Sequence, residues 1–266
     1  MSVRPWLERA GRFTIEPLPC PHFLQPVDAS APAAGVLHTT EGGWDGSLAV
    51  FKRHYAPHFL VGAGRIAQLA PVGLIGAALV THNWLALVQV EVVGFSKQTP
   101  WMFDDPTAEA VASLMAACKA EYGIPLTRPW PDGVYGMARA NDPHRNGGQF
   151  GHVAGWFGHG DVPAPDSHWD PGDLEWSKLF SAAAAIDPQP SPAPDAPPRP
   201  CPAIPDLSTD AGIAAALASL GYRGLTLAGA VRLFQSAHGG LAVDGICGPL
   251  TEAAILQALG ALRALT

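Results

Sequence analysis

The chain has 266 residues, and 16 Lys plus Arg against 23 Asp plus Glu leave a net charge of −7. A hydrophobic content of 48% with only 15% charged residues excludes a disordered chain and is ample for a buried core. The acidic balance argues against a nucleic-acid binder, and no uninterrupted apolar run of about 18 residues marks a membrane span.

The first residues, MSVRPWLERAGRF, carry Arg4, Glu8, Arg9 and Arg12 with no apolar stretch behind them, so no secretory signal is visible. Gly35–Thr40 (GVLHTT) is a short apolar strand ending in polar residues. Pro57–Gly62 and Arg65–Pro71 read as a hairpin around Ala63-Gly64. Leu87–Phe95 is β-branched and mostly apolar, which predicts a central strand buried on both faces. Thr107–Tyr122 has helical spacing, with Thr107 as N-cap and Gly123-Ile124-Pro125 as the stop. Asp132–Gly151 reads as a long loop, and Asp173–Ala185 as a second helix. Strands alternating with helices predict an α/β layer architecture.

From Ile186 to Pro205 there are nine prolines in twenty residues. Proline removes backbone donors and fixes φ, so this stretch is an extended spacer reaching ~60 Å at most. Beyond it, Gly212–Leu220, Leu227–His238 and Thr251–Leu265 form a small helical module. The expected organisation is one folded domain over 1–185, a Pro-rich linker over 186–205 and a second domain over 206–266. Cys20, Cys118, Cys201 and Cys247 form no CxxC pair and are read as free thiols.

The chemistry lies among the ten histidines. His38 ends the first strand, while His159 and Asp170 are joined by a loop that can return both to that strand end. Two imidazoles and one carboxylate make a three-ligand set that leaves zinc an open fourth position, as catalytic sites do. His152, seven residues before His159 and expected in the same strand, is the main rival ligand. Asp170, before Pro171-Gly172, has a second reading as a turn residue or helix N-cap. Glu91 stands among apolar neighbours, where a carboxylate is costly without a partner, so it reads as functional. His54 and His58 read as structural, and Trp44, Trp84 and Trp101 as core residues or as stacking platforms for sugar or peptide.

HTT after a strand, HFLVGAGRIAQLAP, VQVEVVGF and GHGDVP followed by HWDPG occur in that order. Together they resemble the zinc-dependent N-acetylmuramoyl-L-alanine amidases of the amidase-2 type, relatives of the peptidoglycan-recognition proteins. The resemblance runs from about Gly35 to Phe180. It implies a mixed β-sheet flanked by helices and a Zn2+ ion on His38, His159 and Asp170. It also matches Glu91 to the glutamate that bacterial members place beside the metal water. His168 stands where many members carry a lysine, a departure that still suits a hydrogen-bond donor, whereas Pro57 brings no proton-handling group to its position. His82 falls where members often have a substrate-groove histidine, with Trp84 beside it, and an ordinary loop role is the alternative.

The second unit carries Phe234-Gln235, Gly240-Leu241, Asp244-Gly245, Gly248 and Thr251. This pattern resembles the peptidoglycan-binding-1 module, a three-helix bundle, in which Thr251 also suits a helix N-cap. The expected protein is a monomeric amidase that cuts the bond between N-acetylmuramic acid and L-alanine in peptidoglycan, with no nucleic-acid or membrane partner. It is expected to be made in the cytoplasm and to act at the cell wall, in the manner of an endolysin. The rivals are a non-catalytic peptidoglycan receptor and a cytosolic amidase that recycles soluble muropeptides.

Overall fold

The computed structural model describes residues 5–20, 22, 25–54, 56–136, 144–145, 148–186, 206–220, 222, 226–238 and 241–264. The strands are β1 (Arg9–Ala10), β2 (Phe13–Pro17), β3 (Ala34–Thr39), β4 (Phe59–Gly62), β5 (Arg65–Gln68), β6 (Val88–Val92), β7 (Lys97–Trp101), β8 (Gly155–Gly158) and β9 (Gly172–Leu174). The helices are α1 (Trp44–Phe51), α2 (Asp105–Tyr122), α3 (Trp176–Ala185), α4 (Asp210–Ser219), α5 (Leu227–His238) and α6 (Pro249–Ala264). Among the described residues, seven strands form a mixed sheet in the order β1-β2-β5-β4-β6-β3-β8, and β7 pairs separately with β9. This is the expected α/β class, a mixed sheet flanked by helices.

The expected hairpin forms between β4 and β5, which are antiparallel with Gly62 opposite Arg65. Ala63 and Gly64 both have positive φ, 49° and 71°, as a two-residue turn of this hand requires. β6 lies between β4 and β3, parallel to both. Its alternation assigns its faces: Val88, Val90 and Val92 join the core with Val111, Leu114 and Leu179 of α2 and α3. Gln89 and Glu91 therefore point to the opposite face. β3 is buried at every position; Leu37 joins the helix-covered core, and Val36 packs with Phe157 and Val162 on the other side. His38, two residues after Val36, shares that second face. A Cβ on Gly35 would sit 2.6 Å from the Trp156 ring, so glycine lets the β8 tryptophan lie against β3.

Four expectations change. α2 is capped by Asp104, whose Oδ1 accepts the Thr107 N–H at 2.9 Å, while Thr107 Oγ1 accepts the Ala63 N–H at 3.0 Å. The predicted helix at Asp173 begins at Trp176, because the Gly172–Leu174 backbone pairs with β7. His38 lies in the third strand: β1 and β2 precede it, and β2 extends the sheet alongside β5. Thr251 lies inside α6, whose first residue is Pro249.

In the C-terminal module, α4, α5 and α6 close around Leu217, Phe234 and Ile255. Gln235 ties its marker residues together. Its Nε2 donates to Asp244 Oδ1, the Ile246 carbonyl and Thr251 Oγ1, and its Oε1 accepts the Gly245 N–H. Apart from Ile186, the Pro-rich linker lies outside the described residues. Cys20 and Cys118 are buried free thiols, and Cys247 is a partly buried one. No helix among the described residues is long and apolar enough to cross a membrane.

Candidate metal centre

Parallel pairing builds the centre. Leu37 of β3 stands opposite Gly158 of β8, so the next residues on each chain, His38 and His159, leave the sheet side by side. His159 opens a short 3-10 turn, His159–Asp161. The following loop returns to place Asp170 against both rings. Gly172 ends this return with φ +75°, where a Cβ would meet the Lys97 carbonyl at 2.2 Å.

His38 Nδ1 lies 3.0 Å from His159 Nδ1 and 3.2 Å from Asp170 Oδ2, and His159 Nδ1 lies 3.3 Å from Asp170 Oδ1. All three residues are buried, and their ligand-type atoms fall within 4.8 Å of one another, so the group can hold a metal ion. The centre is strongly polarised. Burial drives the Asp170 carboxyl upward, but the hydrogen bonds from His159 and His38 overcome it and hold the group well below the usual carboxylate range. Burial also opposes a charge on His159, yet Asp166 and Asp170 outweigh it and raise its pKa to about 9. For His38, burial dominates and lowers the pKa despite Asp170.

Glu91 is the register partner of His38 on β6. Its Oε2 is buried without a hydrogen-bond partner among the described residues. Burial first, then the charge of Asp170, lift its pKa to about 8, with His159 pulling the other way. His168 stacks on the His159 ring, with centroids 4.6 Å apart and planes 6° from parallel. Its side chain is 59% exposed, and its Nδ1 is 3.8 Å from Asp170 Oδ1. The sheet thus gathers His38, His159, Asp170, Glu91 and His168 in one place.

The other sequence candidates stand apart. His82 caps the 3-10 turn Asn83–Leu85 with φ 61°, and its ring lies 5.4 Å from that of Trp84, which is 47% exposed. Among the described residues, neither makes a hydrogen bond, ion pair or ring contact with the metal-binding group. His152 lies in an exposed turn before β8, not within a strand. Trp101 is buried in the core with its Nε1 donating to the Pro171 carbonyl, so of the three tryptophans it is not a surface platform. His58 is fully buried and structural.

Sequence reasoning gave no role to Asp161 or Arg128. The fully buried Asp161 carboxylate accepts Nε and Nη2 of Arg128 at 2.9 to 3.2 Å, His144 Nε2 at 2.5 Å and the Gly158 N–H at 2.7 Å. Burial works against its charge, but Arg128 and His144 hold it ionised. This cluster locks the turn that carries His159. The fourth position of GHGD was the available signal for Asp161; its partner Arg128, 33 residues earlier, left none.

Residues 28–173 match the family Amidase_2, described as N-acetylmuramoyl-L-alanine amidase. No curated protein matches the chain. Among solved structures, the chain is similar to the hydrolase AmiA of Staphylococcus aureus at 18% identity and TM-score 0.44, over 64% of this chain and 81% of that one. It is similar to the N-acetylmuramoyl-L-alanine amidase LysC of Clostridium intestinale at 11% identity and TM-score 0.40, over 63% and 95%. It is also similar to the amidase AmiD of E. coli at 19% identity and TM-score 0.39, over 90% and 92%.

Proposed function

Given that the chain belongs to the N-acetylmuramoyl-L-alanine amidase family, which it matches over residues 28–173, we propose that it is a zinc-dependent member whose metal is held by His38, His159 and Asp170. The reaction is hydrolysis of the amide between N-acetylmuramic acid and L-alanine in peptidoglycan. The observation that carries the zinc reading is the spacing of the three donors, 3.0, 3.2 and 3.3 Å. Ligands at ~2.0–2.1 Å around tetrahedral zinc are about 3.3 Å apart, so this trio supplies one face of such a tetrahedron. Three protein ligands would leave such an ion an open position, as in catalytic sites.

Zinc bound there would supply Lewis acidity, lowering the pKa of a water to ~7 and polarising the amide carbonyl. The rest falls to side chains. Glu91, whose Oε2 has no other partner among the described residues, takes the proton of the attacking water and returns it to the leaving amine. His168, exposed and stacked over His159, donates to the carbonyl oxygen as negative charge develops there. One water is added across the bond, giving a lactyl carboxylate and a free L-alanine amine.

In the same proposal, residues 206–266 bind the wall and the Pro-rich linker tethers them to the catalytic domain. A weak hold on the polymer then keeps local substrate concentration high. The enzyme is made in the cytoplasm and acts at the wall, like an endolysin. The test is elemental analysis paired with an activity assay. About one zinc per chain, with new L-alanine amino termini that vanish on chelation and return with zinc, supports the reading. Peptide release untouched by exhaustive chelation would refute it.

A further inference from the structure

The carboxylate of Asp166 is completely buried. Its Oδ1 lies 2.9 Å from His159 Nε2 and accepts the His168 N–H at 3.3 Å, while its Oδ2 accepts the Val80 N–H at 3.0 Å. A buried carboxylate needs such partners. These three are the back of one metal-ligand ring, the backbone two residues before another ligand, and the loop leading to His82. Nδ1 of the same His159 ring faces His38 and Asp170.

We propose that Asp166 is a positioning residue of the metal centre: it holds His159 in the Nε2–H tautomer and so presents the Nδ1 lone pair to the metal. The inference rests on the zinc reading above. An ionised carboxylate only accepts hydrogen bonds, and a neutral imidazole has one donor and one acceptor nitrogen. A carboxylate beside Nε2 therefore fixes the proton there and frees Nδ1. It also increases the basicity of the ring as a ligand. Nε2 of both imidazoles is buried without a regular hydrogen bond among the described residues, and it is beside that of His159 that the Asp166 carboxylate stands, 2.9 Å away. Strand pairing sets His38; Asp166 sets His159.

Asp166→Ala and Asp166→Asn test this in the full chain. Asn preserves volume, but an amide oxygen turned to His159 would face its NH2 toward the Val80 N–H. It cannot serve both partners, and it covers the case in which Ala fails to fold. Zinc affinity is measured by competition with a chelating dye, folding by circular dichroism, and the His159 ring nitrogens by 15N NMR on zinc-loaded protein. Both variants should stay folded and bind zinc about 10- to 100-fold more weakly. The protected Nε2–H signal of the parent should be lost or exchange rapidly. Variants with parental zinc affinity and unchanged ring signals would overturn the role of Asp166 alone. A parent that binds no zinc would overturn the zinc reading and this inference with it.

Discussion

His38 and Glu91 are register partners on adjacent parallel strands, so their side chains leave the sheet on the same face, one strand apart. The Glu91 carboxylate oxygen, unpartnered among the described residues, therefore borders the His38–His159–Asp170 group without belonging to it. Glu91→Ala should retain zinc and lose at least about 100-fold in hydrolysis, the usual reach of a lost general base. Metal content and turnover on the same preparation decide this. Parental turnover in the variant would remove Glu91 from the mechanism.

Asp170 is the carboxylate that both imidazoles face. Replacing it by Ala leaves two buried imidazoles and no anionic ligand. Zinc stoichiometry should fall well below that of the parent after dialysis, with activity near background. A variant that keeps its zinc through dialysis would mean that another side chain completes the set.

The C-terminal module offers a comparison between substrates. Deleting residues 206–266 should slow hydrolysis of insoluble wall more than that of soluble muropeptides, because only the polymer rewards tethering. Equal losses on both would show that the module supports the fold rather than targeting.

His58 gives the fold an acid dependence. It is completely buried, its Nε2–H donates to the Leu74 carbonyl at 2.9 Å, and its Nδ1 accepts the Gln89 N–H at 2.9 Å, so both nitrogens are committed to the neutral ring. Burial lowers its pKa to about 4 against the Leu74 carbonyl, and neighbouring His22, also buried, is lowered too. Because the folded pKa lies below the ordinary 6.5, the unfolded chain binds this proton more readily. The contribution is therefore whole above about pH 6.5, is lost as pH falls toward 4, and levels off below that. The gap corresponds to about 3 kcal/mol. Urea unfolding at pH 7.5 and pH 5 should show a smaller loss in His58→Gln than in the parent. Superimposable pH dependences would refute the assignment.

Much of the centre is legible in the sequence because its residues sit in strong local patterns. His38 ends an apolar run, Glu91 interrupts one, and His159 and Asp170 lie in short motifs rich in glycine and proline. The helix Leu227–His238 has the bounds its periodicity predicts. What escaped depends on distant partners. β9 is three residues long and exists because β7 pairs with it, so its sequence alone merged into the following helix. The first two strands are equally short of local signal. Asp166 looks like a turn residue until the fold sets His159 and Val80 beside it.

The two imidazoles that meet at 3.0 Å are 121 residues apart in the chain. They meet only through β3 pairing with β8, and Asp170 must follow before the trio is complete. During synthesis, which adds about 5–20 residues per second, the N-terminal half can form its hairpin while no lytic centre yet exists. On the proposed function, a wall-cutting activity is thus withheld from the nascent chain. The trio is completed late, when β8 and the loop that carries Asp170 have joined β3.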